Sequence, residues 1–568
     1  MSAAIFSNPV IWIVLAAVAA VVIIVSVVKT GERKRRARLA AAFGKPVKPP
    51  EQRRDVSGYW QLRKKEVPHH VDDITWGDLD MDKVYDRLNA CQTSVGEEYL
   101  WALLHEPAFD METLREREAL LEWLGEDPER RLDMTVLLSK MGRMPGSAMY
   151  MFCYGFAVKR IPHPWMYRLL ALLPFAGLGL ILLNATAGGV LMIAAMLANG
   201  VIHYTFKRRM EPEMAALRYF SAMLWCVRQL CKTPLEDAHP AGRDIADGCA
   251  LFKGLGGRLS GLMAERVSDA DFIAEYFRIL TLSNIRGYNR IIAALERHQA
   301  EFRQMYRAVG ALDAAIAVLS YRNSVPVWAR PEFISGNSIK TEGIWHPLLD
   351  KPVSNTATLQ KASLVSGSNA SGKSTFIKAV AINGLFAQTI HTCTAAAFRA
   401  RPALVITSMA VRDDITAHES YFMTEIKSLQ RILGKLREVN CACYIDEILK
   451  GTNTVERIAA SAAVLQYLSC QDGLYAVATH DIELTRLLAG VYDNYHFRET
   501  MTDSGLTFDY TIKPGPSQTR NAILLLEHLG FDKQIIEDAH ALVARYEDTR
   551  TWDASWRSQS MKSRNLPV

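Results

Sequence analysis

The chain has 568 residues, of which 49% are hydrophobic and 22% are charged, an ordinary globular balance in which core size is not limiting. Its formal net charge of +6 is small for this length, so charge alone indicates neither nucleic acid nor anionic lipid as a partner. The nine cysteines lack the paired spacing of metal sites. We therefore predict no zinc site and no disulfide framework, as suits reduced thiols in the cytosol.

The N-terminal region begins with an apolar segment that is dense from Pro9 to Val28. A helix of about 20 such residues can cross a bilayer. A basic cluster, Lys29 and residues 33–38, follows it and predicts that the N-terminus lies outside and the rest of the chain inside. A cleaved signal peptide is the alternative, but its positive charge would precede the apolar run. We predict an uncleaved anchor, residues 1–30, and a basic juxtamembrane linker, residues 31–71.

A second apolar segment, Leu169 to Phe206, contains no Asp, Glu, Lys or Arg. Residues 184–189 (NATAGG) are suited to a tight turn near its middle. Basic residues flank the segment on both sides, so both ends can lie in the cytoplasm. We predict a transmembrane helical hairpin over residues 161–210. Each half is short, and a buried helical hairpin or a re-entrant pair is the alternative.

The remaining chain divides by its hydrophobic pattern. Residues 72–160 and 211–328 show helix-like apolar spacing, which predicts one helical region that the apolar hairpin splits in two. Beyond Trp328, apolar strands, turns and helices alternate. That pattern predicts an α/β domain over residues 329–568.

A phosphate-binding loop of the form G-x-x-x-x-G-K-[ST] lies between the apolar run Leu359 to Val365, predicted as a strand, and a predicted helix. Its backbone N–H groups would hold the α- and β-phosphates, Lys373 would contact the β- and γ-phosphates, and Ser374 would ligate Mg²⁺. The sequence therefore predicts a nucleoside triphosphate and Mg²⁺ as ligands, and the family resemblance described below implies that the nucleotide is ATP. The residues expected to bind the nucleotide are Gly367, Ser368, Asn369, Ala370, Ser371, Gly372, Lys373, Ser374 and Thr375.

Two further strands end in polar side chains. An apolar strand from Cys441 ends in Asp446 and Glu447; the first would hold Mg²⁺, and the second would orient or deprotonate the water that attacks the γ-phosphate. The strand Leu474 to Ala478 leads to His480, which could sense the γ-phosphate. We predict Glu447, His480 and Lys373 as the catalytic residues.

Four segments in this order resemble the ATPase domain of MutS-family proteins: residues 367–375 (GSNASGKST), 413–426 (DDITAHESYFMTEI), 444–454 (YIDEILKGTNT) and 478–485 (ATHDIELT). The resemblance implies an α/β P-loop NTPase domain of the MutS/ABC type beside a mostly helical core and lever domain. It also implies a homodimer with composite ATP sites, in which the signature segment faces the nucleotide of the other subunit. That segment contains Ser420, Phe422, Met423 and Glu425. Residues 521–546 resemble the family's C-terminal dimerisation helices.

The sequence departs from the family pattern in several places, of which the replacement of the usual Asp by Glu456 is conservative. The Phe-x-Glu wedge of mismatch-reading members occurs only as Phe497-Arg498-Glu499, inside the ATPase region. Glu419 stands where such proteins usually have Arg before the signature Ser, and residues 448–451 read Ile-Leu-Lys-Gly in place of the usual Gly-Arg-Gly.

The main prediction is a membrane-anchored MutS-like ATPase that couples ATP hydrolysis to DNA binding or clamping. The expected location is a bacterial inner membrane, with the lipid bilayer as a partner and the ATPase domain in the cytoplasm. An ATP-dependent switch for membrane-associated protein assembly or signalling, without DNA, is the alternative. A transporter is disfavoured, because three apolar spans are too few for a translocation path unless the chain oligomerises, and they carry no intramembrane charge.

Overall fold

The computed structural model describes residues 26–27, 29–144, 146, 148–154, 160–255, 279–368, 371–409, 421–502, 505–517, 522–549 and 551–552. Helices of these residues are α1 (29–42), α2 (Gly58–Arg63), α3 (Asp73–Asp78), α4 (Met81–Leu88), α5 (Ser94–His105), α6 (Met111–Glu126), α7 (Pro128–Met141), α8 (Pro164–Ile181), α9 (Ala185–Arg209), α10 (Glu211–Leu230), α11 (Leu235–Ala238), α12 (Pro240–Phe252), α13 (Ser283–Arg297), α14 (Gln299–Ser324), α15 (Lys373–Thr389), α16 (Tyr421–Lys435), α17 (Thr454–Cys470), α18 (Ile482–Leu487), α19 (Ala522–His528) and α20 (Lys533–Thr549). Strands are β1 (Glu332–Phe333), β2 (Ile339–Ile344), β3 (Asn355–Leu359), β4 (Ala362–Ser366), β5 (Ala397–Ala400), β6 (Leu404–Ser408), β7 (Cys441–Asp446), β8 (Gly473–Thr479), β9 (Asp493–Thr502) and β10 (Gly505–Pro514).

The chain forms two compact units. A helical unit comprises Met1–His70, Asp82–Pro326 and Thr389–His391, and an α/β unit comprises Val71–Met81, Val327–Gln388 and Thr392–Val568. A helical region followed by an α/β domain is thus the observed order. The predicted N-terminal span, residues 9–28, lies almost entirely outside the described residues.

Helix α14 runs through the core of the helical unit. It packs against α5, α6 and α12, and its side chains are buried along most of its length from Phe302 onward. The ring of Phe302 meets Phe220 and Phe252 edge-on, with centroid separations of 5.4 and 6.3 Å. Edge-to-face rings of this kind stabilise a core beyond their buried area.

A buried carboxylate on α14 holds the start of α5. Asp313 is fully buried, and it accepts hydrogen bonds from the backbone N–H groups of Gln92 and Thr93 and from the Thr93 hydroxyl at 2.6 Å. The Thr93 hydroxyl in turn accepts the N–H of Gly96, which caps α5. Burial raises the pKa of Asp313 to about 6, although these hydrogen bonds act in the opposite direction.

A buried ion pair joins α6 to the end of α14. Arg322 donates to both carboxylate oxygens of Glu118, at 2.9 and 2.7 Å, and His391 Nδ1 lies 2.9 Å from the same carboxylate. Arg322 also donates to the carbonyl of His391. These bonds fix the short segment Thr389–His391 within the helical unit.

Helices α8 and α9 pack against each other as an antiparallel hairpin. Glycines allow their backbones to approach closely, because a Cβ atom on Gly188 would lie 2.3 Å from the backbone nitrogen of Ile181. Each helix is long and apolar enough to cross a membrane by length and composition alone, and 17% of each apolar window is buried. The predicted hairpin is therefore present in the structure, whereas its position in a membrane stays a prediction.

The turn of this hairpin lies earlier than the sequence indicated. Residues 185–189, expected in the turn, form the first turn of α9, because the Asn184 side chain accepts the N–H of Ala187 and caps the helix. The chain therefore reverses direction over residues 182–184.

The α/β unit is built on a six-stranded sheet with the order β10-β9-β4-β8-β7-β6. Strands β9, β4, β8, β7 and β6 are parallel, and β10 forms an antiparallel edge. A smaller sheet has the order β1-β5-β2-β3. The predicted strand from Leu359 to Val365 is two elements, since Gln360 and Lys361 separate β3 from β4 and the two strands belong to different sheets.

The segment Val71–Met81 belongs to the α/β unit, although its apolar spacing resembles that of the helical region. Polar side chains hold it there. The Asp78 carboxylate accepts the Thr407 hydroxyl at 2.6 Å and the N–H of Met409 at 3.1 Å, and Arg431 pairs with Asp72. Hydrophobic periodicity carries no information about such bonds.

Candidate functional site

The phosphate-binding loop and the two predicted polar strand ends meet at one edge of the six-stranded sheet. Strand β8 lies between β4 and β7, with Ser366 level with Thr479 and Asp446 level with Ala478. Because the three strands are parallel, the residues that follow them emerge side by side. The structure thus brings together Lys373, Asp446, Glu447 and His480.

The described part of the phosphate-binding loop wraps around the Lys373 side chain. Lys373 is 2% exposed, and its ammonium donates to the carbonyls of Gly367 and Ser368, both at 2.7 Å. Burial lowers the pKa of Lys373, while the carboxylates of Asp446 and Glu447 act to raise it. A buried cation surrounded by backbone groups suits the binding of a phosphate.

Asp446 and Ser374 are neighbours at this edge of the sheet. Burial raises the pKa of the Asp446 carboxyl group, and the nearby Ser374 hydroxyl opposes that shift. A carboxylate and a hydroxyl that lie near each other are hard oxygen donors of the kind that Mg²⁺ prefers. The predicted metal ligands therefore form a fitting partial donor set, which nucleotide oxygens and water would complete.

Glu447 begins the loop after β7 in a left-handed conformation, with φ of +58°. His480 Nδ1 lies 3.3 Å from Glu447 Oε1, and Lys450 forms an ion pair with Glu447 Oε2. The bond to His480 and then the contact with Lys450 lower the pKa of Glu447 to about 2. Glu447 is therefore ionised at any physiological pH, and both its oxygens are held in fixed directions.

A second carboxylate supports His480 from behind. Asp481 is buried and receives two hydrogen bonds from Arg457, at 3.1 and 2.7 Å, while its Oδ1 lies 3.6 Å from His480 Nε2. The sequence did not point to Arg457, because it lies in α17, 24 residues from Asp481.

A cavity of about 390 Å³ adjoins the start of α15. That volume lies within the roughly 300–1,000 Å³ that small-molecule sites occupy. Its walls combine the loop residues Gly372 and Ser374 with Trp345, Lys351 and Tyr510. Aromatic walls beside a phosphate-binding loop suit a nucleobase.

Tyr510 stands at this cavity in a strained backbone conformation. Its φ is +51°, rare for a residue with a bulky side chain, and it lies in a bulge of the β9–β10 pairing. The buried Asn355 side chain fixes the bulge by donating to the Tyr510 carbonyl at 3.1 Å and accepting the N–H of Ile512 at 2.8 Å. A Cβ atom on Gly372 would lie 3.2 Å from the Tyr510 ring. Strain held in this way is common at binding sites.

Other predicted site residues have different positions. Asn369, Ala370 and Ser420 lie outside the described residues. Glu425 of the signature segment is buried and accepts the backbone N–H groups of Lys450 and Gly451, so its carboxylate faces a loop of its own subunit. Phe497, first residue of the Phe-x-Glu sequence, is buried in β9 against Phe376 and is a core residue.

The α/β unit matches a known family. Residues 363–547 fit the family profile described as MutS domain V. The chain carries a MutS domain V. The residues Lys373, Asp446, Glu447 and His480, called the strand-end cluster below, all lie within this match, and MutS domain V is an ATPase domain.

Several named proteins are similar in sequence to part of this chain. DNA mismatch repair protein MutS of Thermus thermophilus is 27% identical over 281 residues, which cover 48% of this chain and 34% of the relative. DNA mismatch repair protein MutS of Natronomonas pharaonis is 29% identical over 274 residues, covering 46% and 31%. DNA mismatch repair protein MutS 2 of Haloarcula marismortui is 32% identical over 209 residues, covering 36% and 22%. The chain thus spans about a third or less of the length of these relatives.

Proposed function

We propose that the protein hydrolyses ATP at the strand-end cluster, with Lys373, Glu447 and His480 as catalytic residues. The main support for this proposal is that the parallel strands β4, β8 and β7 end side by side. This register brings the Glu447 carboxylate within hydrogen-bond distance of His480. Each group has one part of the reaction: Lys373 would bind the β- and γ-phosphates, and Glu447 would face the attacking water.

Glu447 would act as an ionised carboxylate, since His480 and Lys450 lower its pKa. A carboxylate with a pKa of about 2 is a weak base, so it would orient the water and receive its proton late. Phosphoryl transfer through a loose transition state asks for positioning and charge stabilisation more than for a strong base. His480, held between Glu447 and Asp481, would keep the Glu447 carboxylate in place.

Ser374 and Asp446 would hold Mg²⁺, which when bound neutralises charge on the β- and γ-phosphates. Backbone N–H groups of the loop would bind the phosphates, and Tyr510 would stack on the base. The described loop residues that we assign to nucleotide binding are Gly367, Ser368, Ser371, Gly372, Lys373, Ser374 and Thr375.

We further propose that the protein acts as a homodimer and that its hydrolysis is coupled to DNA binding. MutS-family ATPases typically dimerise, and the relatives compared above are named DNA mismatch repair proteins.

The exposed face of the α8–α9 hairpin supports attachment to a lipid bilayer, in a bacterial inner membrane. Several of its large apolar side chains are more than half exposed, including Leu172, Leu178, Leu183, Val190 and Leu197.

A protein-assembly switch without DNA is the second candidate. The burial of Phe497 favours it, because the Phe-x-Glu sequence cannot then act as a mismatch wedge. In this version ATP would control the assembly of a protein partner at the membrane, with the same catalytic residues.

Salt dependence of turnover in the presence of DNA separates the two candidates. ATP hydrolysis by the detergent-purified full chain is measured without DNA and then with homoduplex, mismatched and branched DNA over a salt series. Lys373→Ala is the inactive reference, and Lys361→Ala, in the turn before β4, is the matched control. Phosphate contacts make DNA affinity fall steeply with salt, so salt-sensitive changes in turnover support DNA coupling. Turnover that requires Lys373 but is unchanged by every DNA favours the protein-assembly switch.

A further inference from the structure

The loop after β7 carries a second lysine at the ATPase site. Lys450 forms an ion pair with Glu447 Oε2, while His480 contacts the other oxygen of that carboxylate. We propose that Lys450 is a nucleotide-contacting residue, which moves from Glu447 to the γ-phosphate when ATP binds. This inference rests on the proposed ATPase function.

The backbone of this loop is built to return Lys450 to the site. Glu447 and Leu449 have φ values of +58° and +55°, a left-handed conformation that costs free energy in residues other than glycine. Two such residues, with only Ile448 between them, fold the loop back on itself. Strain of this kind persists where the surrounding structure enforces it.

Glu425 holds the loop in this conformation. Its buried carboxylate accepts the N–H of Lys450 at 3.2 Å and the N–H of Gly451 at 3.3 Å. The Ser461 hydroxyl also donates to the carbonyl of Ile448 at 3.4 Å. The main chain at Lys450 is therefore fixed, whereas its side chain is 43% exposed and free to change direction.

The distances between Glu447, the attacking water and the phosphorus atom would put the γ-phosphate within reach of Lys450. A residue that orients the attacking water lies about 3 Å from it, and that water lies roughly 3 Å from the phosphorus. The Lys450 ammonium, which contacts Glu447, would thus lie about one water molecule away from the γ-phosphate oxygens. Lys450 is also near enough to Lys373 for its charge to act on that ammonium.

Charge decides which partner Lys450 prefers. The Lys450 side chain is 43% exposed and that of Glu447 is 10% exposed, so water screens the attraction between them only in part. A γ-phosphate carries more negative charge than one carboxylate and offers several oxygens to the Lys450 ammonium. When ATP is present, Lys450 would leave Glu447, which frees a carboxylate oxygen for the attacking water.

The test uses Glu447→Gln, which slows hydrolysis and removes the carboxylate that Lys450 pairs with. Affinities of the full-chain protein for ATP and for ADP are measured with Mg²⁺, before and after adding Lys450→Met. We expect ATP affinity to fall at least about tenfold and ADP affinity to change less than twofold, because ADP has no γ-phosphate. Lys435→Met is the matched control, since Lys435 forms an exposed i,i+3 pair with Glu438 at 2.7 Å.

The other outcomes overturn the inference. Unchanged ATP affinity would mean that Lys450 only holds Glu447 in place, and equal losses for ATP and ADP would mean that it acts elsewhere on the nucleotide or on the loop. If Glu447→Gln protein binds no nucleotide, or binds it equally with Lys373→Ala, the proposed function fails as well. In otherwise unaltered protein, Lys450→Arg should restore the turnover that Lys450→Met removes.

Discussion

His480 Nδ1 lies 3.3 Å from Glu447 Oε1, although 33 residues separate them in the chain. The two residues meet because β7 and β8 are neighbouring parallel strands that end at the same level. A carboxylate at the end of one strand is thereby oriented by an imidazole at the end of the next.

Replacing the oriented carboxylate should separate binding from hydrolysis. Glu447→Gln keeps the shape of the side chain but removes its charge, so turnover should fall about 10²–10⁴-fold while ATP affinity stays within a few-fold. Single-turnover hydrolysis and equilibrium ATP binding, measured on the same preparation, check this. An equal loss of binding and turnover would assign Glu447 to nucleotide binding.

Tyr510 should contribute to the affinity for any adenine nucleotide. Stacking of a base on an aromatic ring is worth about 1–3 kcal/mol, so Tyr510→Ala should weaken ATP and ADP binding equally, by roughly 5- to 150-fold. Tyr510→Phe keeps the ring and should bind like the unaltered protein. Competition against a fluorescent nucleotide measures both variants. Affinities unchanged by Tyr510→Ala would exclude Tyr510 from the base site.

The buried pair of Glu118 and Arg322 should be sensitive to the loss of one partner. Their side chains are 9% and 3% exposed, so Glu118→Gln leaves a buried guanidinium without its counter-charge and should destabilise the helical unit by about 3–5 kcal/mol. The double variant Glu118→Leu with Arg322→Met should cost less, because no buried charge remains. Chemical unfolding of the three proteins tests the order, and a double variant less stable than Glu118→Gln contradicts it.

Asp313 should make the helical unit less stable as the pH rises. Its pKa is about 6 in the folded chain against an ordinary value of 3.8, so the folded state holds a proton that the unfolded state releases between these values. The stability from this group is present below about pH 4 and decreases up to about pH 6, by roughly 3 kcal/mol. Above pH 6 it should be constant.

Hydrogen exchange can isolate this effect. Protection of peptides from α5 and α14 is compared between the unaltered protein and Asp313→Asn from pH 4 to pH 8, after correction for intrinsic exchange. The difference between the two proteins should change with pH only between about pH 4 and pH 6. A difference that is independent of pH would show that Asp313 does not titrate in this range.

The sequence predicted which residues meet at the candidate site better than it predicted the surroundings of that site. Lys373, Asp446, Glu447 and His480 follow apolar strands in recognisable segments, and parallel strands bring such residues together by geometry alone. Tyr510 could not be predicted in the same way, because a bulge held by Asn355, 155 residues earlier, determines its position. A contact of that kind has no local pattern.

In the fold as well, features that depend on hydrophobic spacing were predicted, and features that depend on single polar contacts were not. Hydrophobic spacing predicted the order of helical and α/β regions and the apolar hairpin, because both depend on which faces are buried. The hairpin turn was misplaced, since the single side chain of Asn184 starts α9 five residues before the glycine pair ends. The segment around Asp78 likewise joins the α/β unit through polar bonds that periodicity does not reveal.

The most direct measurement is phosphate release from ATP by the purified full chain with Mg²⁺, compared with Lys373→Ala. The strand-end cluster predicts steady turnover by the unaltered protein and a loss of at least about 100-fold in the variant, with folding unchanged by circular dichroism. Turnover that persists in Lys373→Ala, or its absence from the unaltered protein when ATP is bound, would contradict the assignment of this cluster as an ATP-hydrolysing site.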